Sequence, residues 1–405
     1  MTNRRKHSKA LRTVPFLSLI LICGLFFIFD MGQVLAAAKT VKYNGKTIAK
    51  YNKSGQMVLV PSKNSNTNYK NLNYLISGHK KKTVVIPKGS TVRLNGVLRP
   101  GNNTTIIAKG AKIIGKKKSN VIFAAPDKKL KNLSIIGGTW RSVDKNGRTG
   151  SLFAFSYVTN LIMNGVDCNA NYKGHAIEII ACNNVTIKNC KVAAIGSNPS
   201  KCLEEQIQID LATRKTAPKI AEYGSKYVKG QTCKNIYILN NTVTGARAVG
   251  VNWTDSEGGK WRNKFHQNIV VKGNTLTGTT SEALAYFNTV GGEISNNTII
   301  TNATRTDGNS SYTIGIHVAI MGIAPRSMAN STLTVSGNTV YGNRNGIHFK
   351  AYFNKNESKC LSQLGYVNVT DNTVYCKKGT KKAIVQVKRS CRKLTLSRNR
   401  LYKWN

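Results

Sequence analysis

Ile269-Val-Val-Lys-Gly-Asn-Thr275, Ile294-Ser-Asn-Asn-Thr298, Leu333-Thr-Val-Ser-Gly-Asn-Thr339 and Val367-Asn-Val-Thr-Asp-Asn-Thr373 are variations on one phrase. Each is a short alternating strand that ends in Asn and leads into a second β-prone stretch. Alternation over a few residues marks a half-buried strand, and Asn suits the bend because it tolerates left-handed backbone. The phrase extends outward in both directions. Val185-Thr-Ile-Lys-Asn-Cys190 and Ile236-Tyr-Ile-Leu-Asn-Asn-Thr242 precede it, and Leu394-Thr-Leu-Ser-Arg-Asn399 follows. Aligning the copies gives an expected ladder of Asn189, Asn241, Asn274, Asn297, Asn338, Asn372 and Asn399, with Asp167 in the equivalent place upstream. The shortest intervals, such as 274 to 297, are about 22 residues, which is a β-solenoid period. Longer intervals read as the same coil carrying insertions. No helical 3.6 period competes with this pattern.

The 405 residues hold 61 Lys and Arg against 16 Asp and Glu, a formal charge of +45. Such self-repulsion calls for a polyanionic partner or surroundings. So few acids argue against chains of calcium sites, so Ca2+ is not supported and no cofactor is expected. No cysteine or histidine spacing reads as a zinc site.

Arg4, Arg5, Lys6, Lys9 and Arg12 precede an apolar run from Val14 to Phe29, with small residues before a cut after Ala38. That order is a secretory signal. The expected division is 1–38 signal peptide, 39–82 amino-terminal cap with a short amphipathic helix over 66–78, and 83–405 parallel β-helix. The mature chain is expected to be secreted, free of the membrane, monomeric, and held on an anionic cell wall by charge. Its cysteines recur at fixed phases, which suits buried thiol columns; Cys202 and Cys233 are the one pair worth testing for a bridge.

Val84-Val-Ile-Pro-Lys-Gly89, Gly174-His-Ala-Ile-Glu-Ile-Ile-Ala-Cys-Asn-Asn-Val-Thr-Ile-Lys-Asn-Cys190 and Gln206-Ile-Gln-Ile-Asp210 carry a resemblance. The chain resembles the pectate-lyase-like superfamily of right-handed parallel β-helix proteins, and within it secreted proteins of Gram-positive bacteria. The resemblance implies an all-β right-handed parallel β-helix over about residues 80–400 and extracellular polysaccharide chemistry. It does not fix the reaction, because fold does not determine function. The Asn-Thr-Asp and paired Asp-Asp of polygalacturonases, the Asp-Pro-His-Asp of alginate epimerases and the acidic cluster of calcium-dependent pectate lyases are all missing.

In this fold the strand upstream of the ladder strand floors a groove. Its inward residues are Ile177 and Ile179, Ile207 and Ile209, Val249 and Val251, Ile316 and Val318, and Ile347 and Phe349. The opposite parity faces out. It presents Glu178, Gln208, Asp210, Asn252, His317, His348, Lys350, Gln386 and Lys388, with His175 just upstream and the phase of Tyr286 open. Insertions over 211–230, 253–265 and 351–364 can wall the groove. Trp253 and Trp261 are expected to stack on sugar, and Gln208, Asn252, Lys388 and Arg389 to bind substrate.

The leading expectation is a polysaccharide lyase acting on a uronate-containing glycan. β-Elimination needs the carboxylate neutralised, a base and an acid. Lys350, Lys388 and Asn252 suit the first task. His348 or His317, or His175 oriented by Glu178, suit the second. The alternatives are a glycoside hydrolase using Glu178 and Asp210 on adjacent coils, or a β-helix that only binds an anionic polysaccharide or cell-wall polymer. No nucleic-acid motif is present.

Overall fold

The computed structural model describes residues 39–116, 119–142, 151–196, 202–302, 313–352 and 360–405. The secretory signal expected over 1–38 lies outside the described residues, as does 353–359 of the last insertion.

Aliphatic residues at every second position make each short strand one-sided, and one-sided strands must stack to bury that side. The chain winds as a right-handed parallel β-helix of three sheets, with 14, 11 and 9 strands. Successive coils pair strand to strand in parallel. In the third sheet, Ile177–Ile180 pairs with Glu205–Asp210, which pairs with Arg247–Val251, then Leu284–Phe287, Ile314–Ile320 and Asn345–Ala351. Ile177, Ile207, Val249, Leu284, Ile316 and Ile347 stack in register and are fully buried. Each contributes roughly 1.5–3 kcal/mol of burial. Tyr286 belongs to the inward row, between Val251 and Val318, and its hydroxyl donates to the Ile269 or Gly291 carbonyl, each 2.9 Å away.

Helix α1, Ser65–Ile76, covers the first coil with Leu72, Leu75 and Ile76. The Asn64 side chain caps it by accepting from the amides of Asn66 and Thr67. It closes an otherwise open end of the stack.

The ladder runs through Asn241, Asn274, Asn297, Asn338, Asn372 and Asn399. Each amide Nδ2 donates to the next Oδ1 at 2.9–3.0 Å. The same Oδ1 accepts the preceding Asn backbone N–H. Asn189 and Asp167 are not in it. The ladder's place on that coil is taken by Cys190, whose N–H donates to Asn241 Oδ1 at 2.8 Å. Asn189 is one residue earlier, in step with Asn240 and Asn296, which are left-handed at φ near +54 to +55. The bend therefore divides its work between two positions. The left-handed residue turns the chain, and the buried Asn after it satisfies the turn.

The alignment missed a second ladder. Asn103, Asn132, Asn160 and Asn184 are left-handed residues at another corner, the first half-buried and the others exposed, bonded amide to amide at 2.7–2.8 Å. All eight cysteines of the described residues are free, including Cys202 and Cys233. Among the described residues, no helix is long and apolar enough to cross a membrane.

Candidate functional site

The outward row of the third sheet aligns as Glu178, Gln208, Gly250, Ala285, His317 and His348. Two small residues at its centre make room for side chains from elsewhere on the sheet. Gly250 is required there, because a Cβ would lie 2.3 Å from Glu205 Cγ, and Ala285 packs with Phe287 and Trp253. Beside them a cavity of about 510 Å³ is lined by Gln208, His317 and side chains from the strand starts.

One wall is ionic. His175, Glu205, Arg247 and Glu282 stand at the start of four successive strands and all line the cavity. Arg247 pairs with Glu205 Oε1 through one guanidinium nitrogen and with Glu282 Oε1 through the other, at 3.1 Å for the latter. His175 Nδ1 lies 2.7 Å from the Glu205 carbonyl and 3.7 Å from its carboxylate. His317 Nδ1 is 3.5 Å from Glu282 Oε1. Beyond that approach neither His317 ring nitrogen has a hydrogen-bond partner, although the side chain is buried. Burial alone would raise the Glu282 pKa. Arg247 outweighs it, with help from His317, and holds the carboxyl down at about 2. Burial would likewise lower the Arg247 pKa, but Glu282 and Glu205 raise it. Arg247 and Glu282 are therefore both charged at ordinary pH.

The other wall is mixed. Phe287 and Lys350 come from the sheet, and Asn252, Trp253 and Met321 from the connections after its strands. Phe287 packs edge-on to His317 at 5.0 Å. Buried His266 supports Asn252 from behind. Its Nδ1 accepts the Cys233 N–H at 3.1 Å, so Nε2 carries the proton donated to the Asn252 carbonyl at 3.0 Å. Burial lowers its pKa to about 4.

The structure thus brings together His175, Gln208, Asn252, Trp253, His317 and Lys350 of the expected residues. It separates the others. His348 packs behind His317 with ring centroids 5.2 Å apart. Burial, then His317, Lys350 and Arg344, lower its pKa to about 3. Asp210 is buried, accepting from Gln208 Nε2 at 3.2 Å, Asn252 Nδ2 at 3.4 Å and the Leu211 amide at 2.6 Å. Burial pushes its pKa well up. Glu178 accepts from Ser151 Oγ at 2.5 Å and lines a different hollow. Glu178 and Asp210 therefore do not flank one cavity. Trp261 is buried against Gly230, with Lys260 Nζ 4.7 Å from its ring centroid. Lys388 and Arg389 form an exposed left-handed turn on the last coil, away from the cavity. Gln386 is in register with the inward Phe349, not with the outward row.

Glu204, Glu205, Arg247 and Glu282 escaped the sequence reading. Carried back two places from Ile207, Val249 and Leu284, strict alternation puts the last three on the core side. The corner where each strand begins breaks that parity: Gln206 turns inward to the Asn171 and Gly174 carbonyls, and Glu205 turns out. The available signal was the stack His175, Glu205, Arg247, Glu282, with charges alternating on adjacent coils. Glu205, Asp210 and Glu282 are the buried acids of the described residues, and all lie at or beneath this cavity. Burying carboxylates is costly, so their gathering in so basic a chain marks a candidate functional site. Among the described residues no group of His, Cys, Asp and Glu is placed to hold a metal.

The class defined by fold and site is a parallel β-helix with an ionic groove cavity on its third sheet. Particular solved structures similar to the chain include the surface protein and adhesin PfbA of Streptococcus pneumoniae, at 14% identity and TM-score 0.49 over 82% of this chain and 91% of that one. The tailspike protein of E. coli bacteriophage HK620, solved with a pentasaccharide, is 13% identical at TM-score 0.46 over 85% and 58%. An endo-xylogalacturonan hydrolase of Aspergillus tubingensis is 14% identical at TM-score 0.42 over 85% and 92%. No protein-family model matches the sequence, and no curated protein matches it.

Proposed function

We propose that the protein is a secreted, carbohydrate-active β-helix whose cavity binds a uronate-containing polysaccharide and cleaves it by β-elimination. The observation that carries this reading is the Glu282–His317 pair. The carboxylate is held ionised by Arg247 and faces Nδ1, while Nε2 is buried and has no hydrogen-bond partner, so Nε2 is the nitrogen that would act as the base. His317 takes the proton beside the uronate carboxylate, the bond to the leaving sugar oxygen breaks, and a double bond forms in the uronate ring. Lys350 neutralises the carboxylate. The leaving oxygen takes its proton from water; His175, whose Nδ1 is engaged by the Glu205 carbonyl, stands four coils, roughly 19 Å, from His317 and contacts the glycan further along. Trp253 offers a face for sugar stacking.

Hydrolysis by paired carboxylates is less well supported. Glu205 and Glu282 line the cavity, but both are tied to Arg247, so neither supplies the protonated acid that mechanism needs. Incubating the purified protein with a panel of acidic glycans, with and without chelator, tests the proposal. Absorbance in the unsaturated-uronate band supports elimination. New reducing ends without that absorbance would assign hydrolysis, and binding without either product would assign a lectin-like role.

A further inference from the structure

One coil from the catalytic cavity lies a second hollow of about 270 Å³, and the two share His175 and Glu204 on their linings. Its chemistry differs. The floor is apolar, built from Phe123, Ala154 and Ile180, and short helix α2, Pro218–Ala221, adds Ile220 at its side. Glu178 is the polar group in the row of Phe123 and Ala154, in register between Ala154 and Gln208, while Ser156 beside Ile180 donates to the Ala124 carbonyl. Ser151 donates to its Oε2, which leaves Oε1 to accept from a ligand. Two lysines line the hollow: Lys173 is exposed, and Lys219 donates to Asn120 Oδ1 at 2.8 Å. A uronate bound here would set its carboxylate against Glu178 and an apolar floor, which is unfavourable.

We infer that this hollow is a subsite for a neutral sugar bearing an acetamido group. The amide N–H would donate to Glu178, and the methyl would lie on Ala154 and Ile180. Adjacent coils are about 4.8 Å apart, close to the advance of one sugar along an extended glycan, so Glu178, four coils before His317, meets a sugar about four units from the one cleaved. A glycan that fills both sites is a heteropolymer carrying an N-acylated amino sugar at that remove from a uronate, not a plain polyuronate. The identity of the cleaved unit rests on the elimination reading; the acetamido subsite does not.

Calorimetry with two neutral probes isolates the subsite: the β-1,4 tetramer of N-acetylglucosamine, and the β-1,4 glucose tetramer with hydroxyls in place of acetamido groups. One buried methyl and one hydrogen bond predict about tenfold tighter binding of the first. Ala154→Leu, which fills the floor, should narrow the gap to about twofold or less, and Glu178→Ala, which keeps the methyl contact, to about fourfold, with folding checked by thermal melting. Equal binding of the two tetramers, binding of neither, or a gap that survives Ala154→Leu overturns the inference, even if an oligouronate is cleaved. An acetamido preference without unsaturated product from any acidic glycan keeps the subsite and removes the lyase reading.

Discussion

Glu282 is buried between Arg247 and His317, and its contribution is electrostatic on both sides. Glu282→Gln should leave Arg247 under-neutralised in the interior. Breaking a buried pair in this way costs about 3–5 kcal/mol, and urea unfolding would measure it. Because the folded pKa of Glu282 is depressed to about 2, its stabilisation is present above the unfolded carboxyl range. It fades as pH falls through that value. His266 acts in a higher window. Its folded pKa of about 4 lies below the unfolded value near 6.5, so the unfolded chain takes up the proton first and stability falls between those pH values. The loss is on the order of 3 kcal/mol. Unfolding free energies at pH 7 and pH 4 should fall further for the wild type than for His266→Gln; parallel losses would remove His266 as the cause. At this scale the sequence was readable where alternation holds, as for Gln208 and His317. It was unreadable at strand starts, where the corner reverses the direction of Glu205 and Arg247.

Among elements, the two Asn ladders make different predictions. Asn297→Ala removes the acceptor of the Asn274 N–H and the donor to the Val271 carbonyl, all buried. A loss of about 3 kcal/mol is expected. Asn160→Ala, in the exposed ladder, forfeits mainly the left-handed preference and should cost about 1 kcal/mol. Equal costs in chemical denaturation would contradict the division of roles. The groove strands allow a sharper test. Gly250→Ala places a methyl against the Glu205 side chain, so it should disrupt the ion pair with Arg247 and abolish glycan cleavage while the β circular-dichroism signal persists. The repeat was legible because Asn recurs at one phase. Asn189 misled because a left-handed Asn and a ladder Asn are adjacent and identical in type.

For the whole molecule, the charge and the solenoid are one problem. A stack of one-sided strands leaves a large outward surface, and the chain from Lys39 onward carries a net +41. Attraction to an anionic wall should therefore weaken steeply with ionic strength. Salt washing of cells should release the protein, and retention in high salt would point to a specific or covalent anchor. The architecture could be read from its period; the cavity could not, because its ionic wall is assembled from single residues at strand starts, His175, Glu205, Arg247 and Glu282, on separate coils. The central claim is that His317, oriented by Glu282, is the base. Comparing kcat of His317→Ala and His348→Ala on the cleaved glycan tests it most directly. The account predicts a loss of about 10²-fold or more for His317→Ala, with His348→Ala close to wild type; a wild-type rate for His317→Ala, or the larger loss at His348, would contradict it.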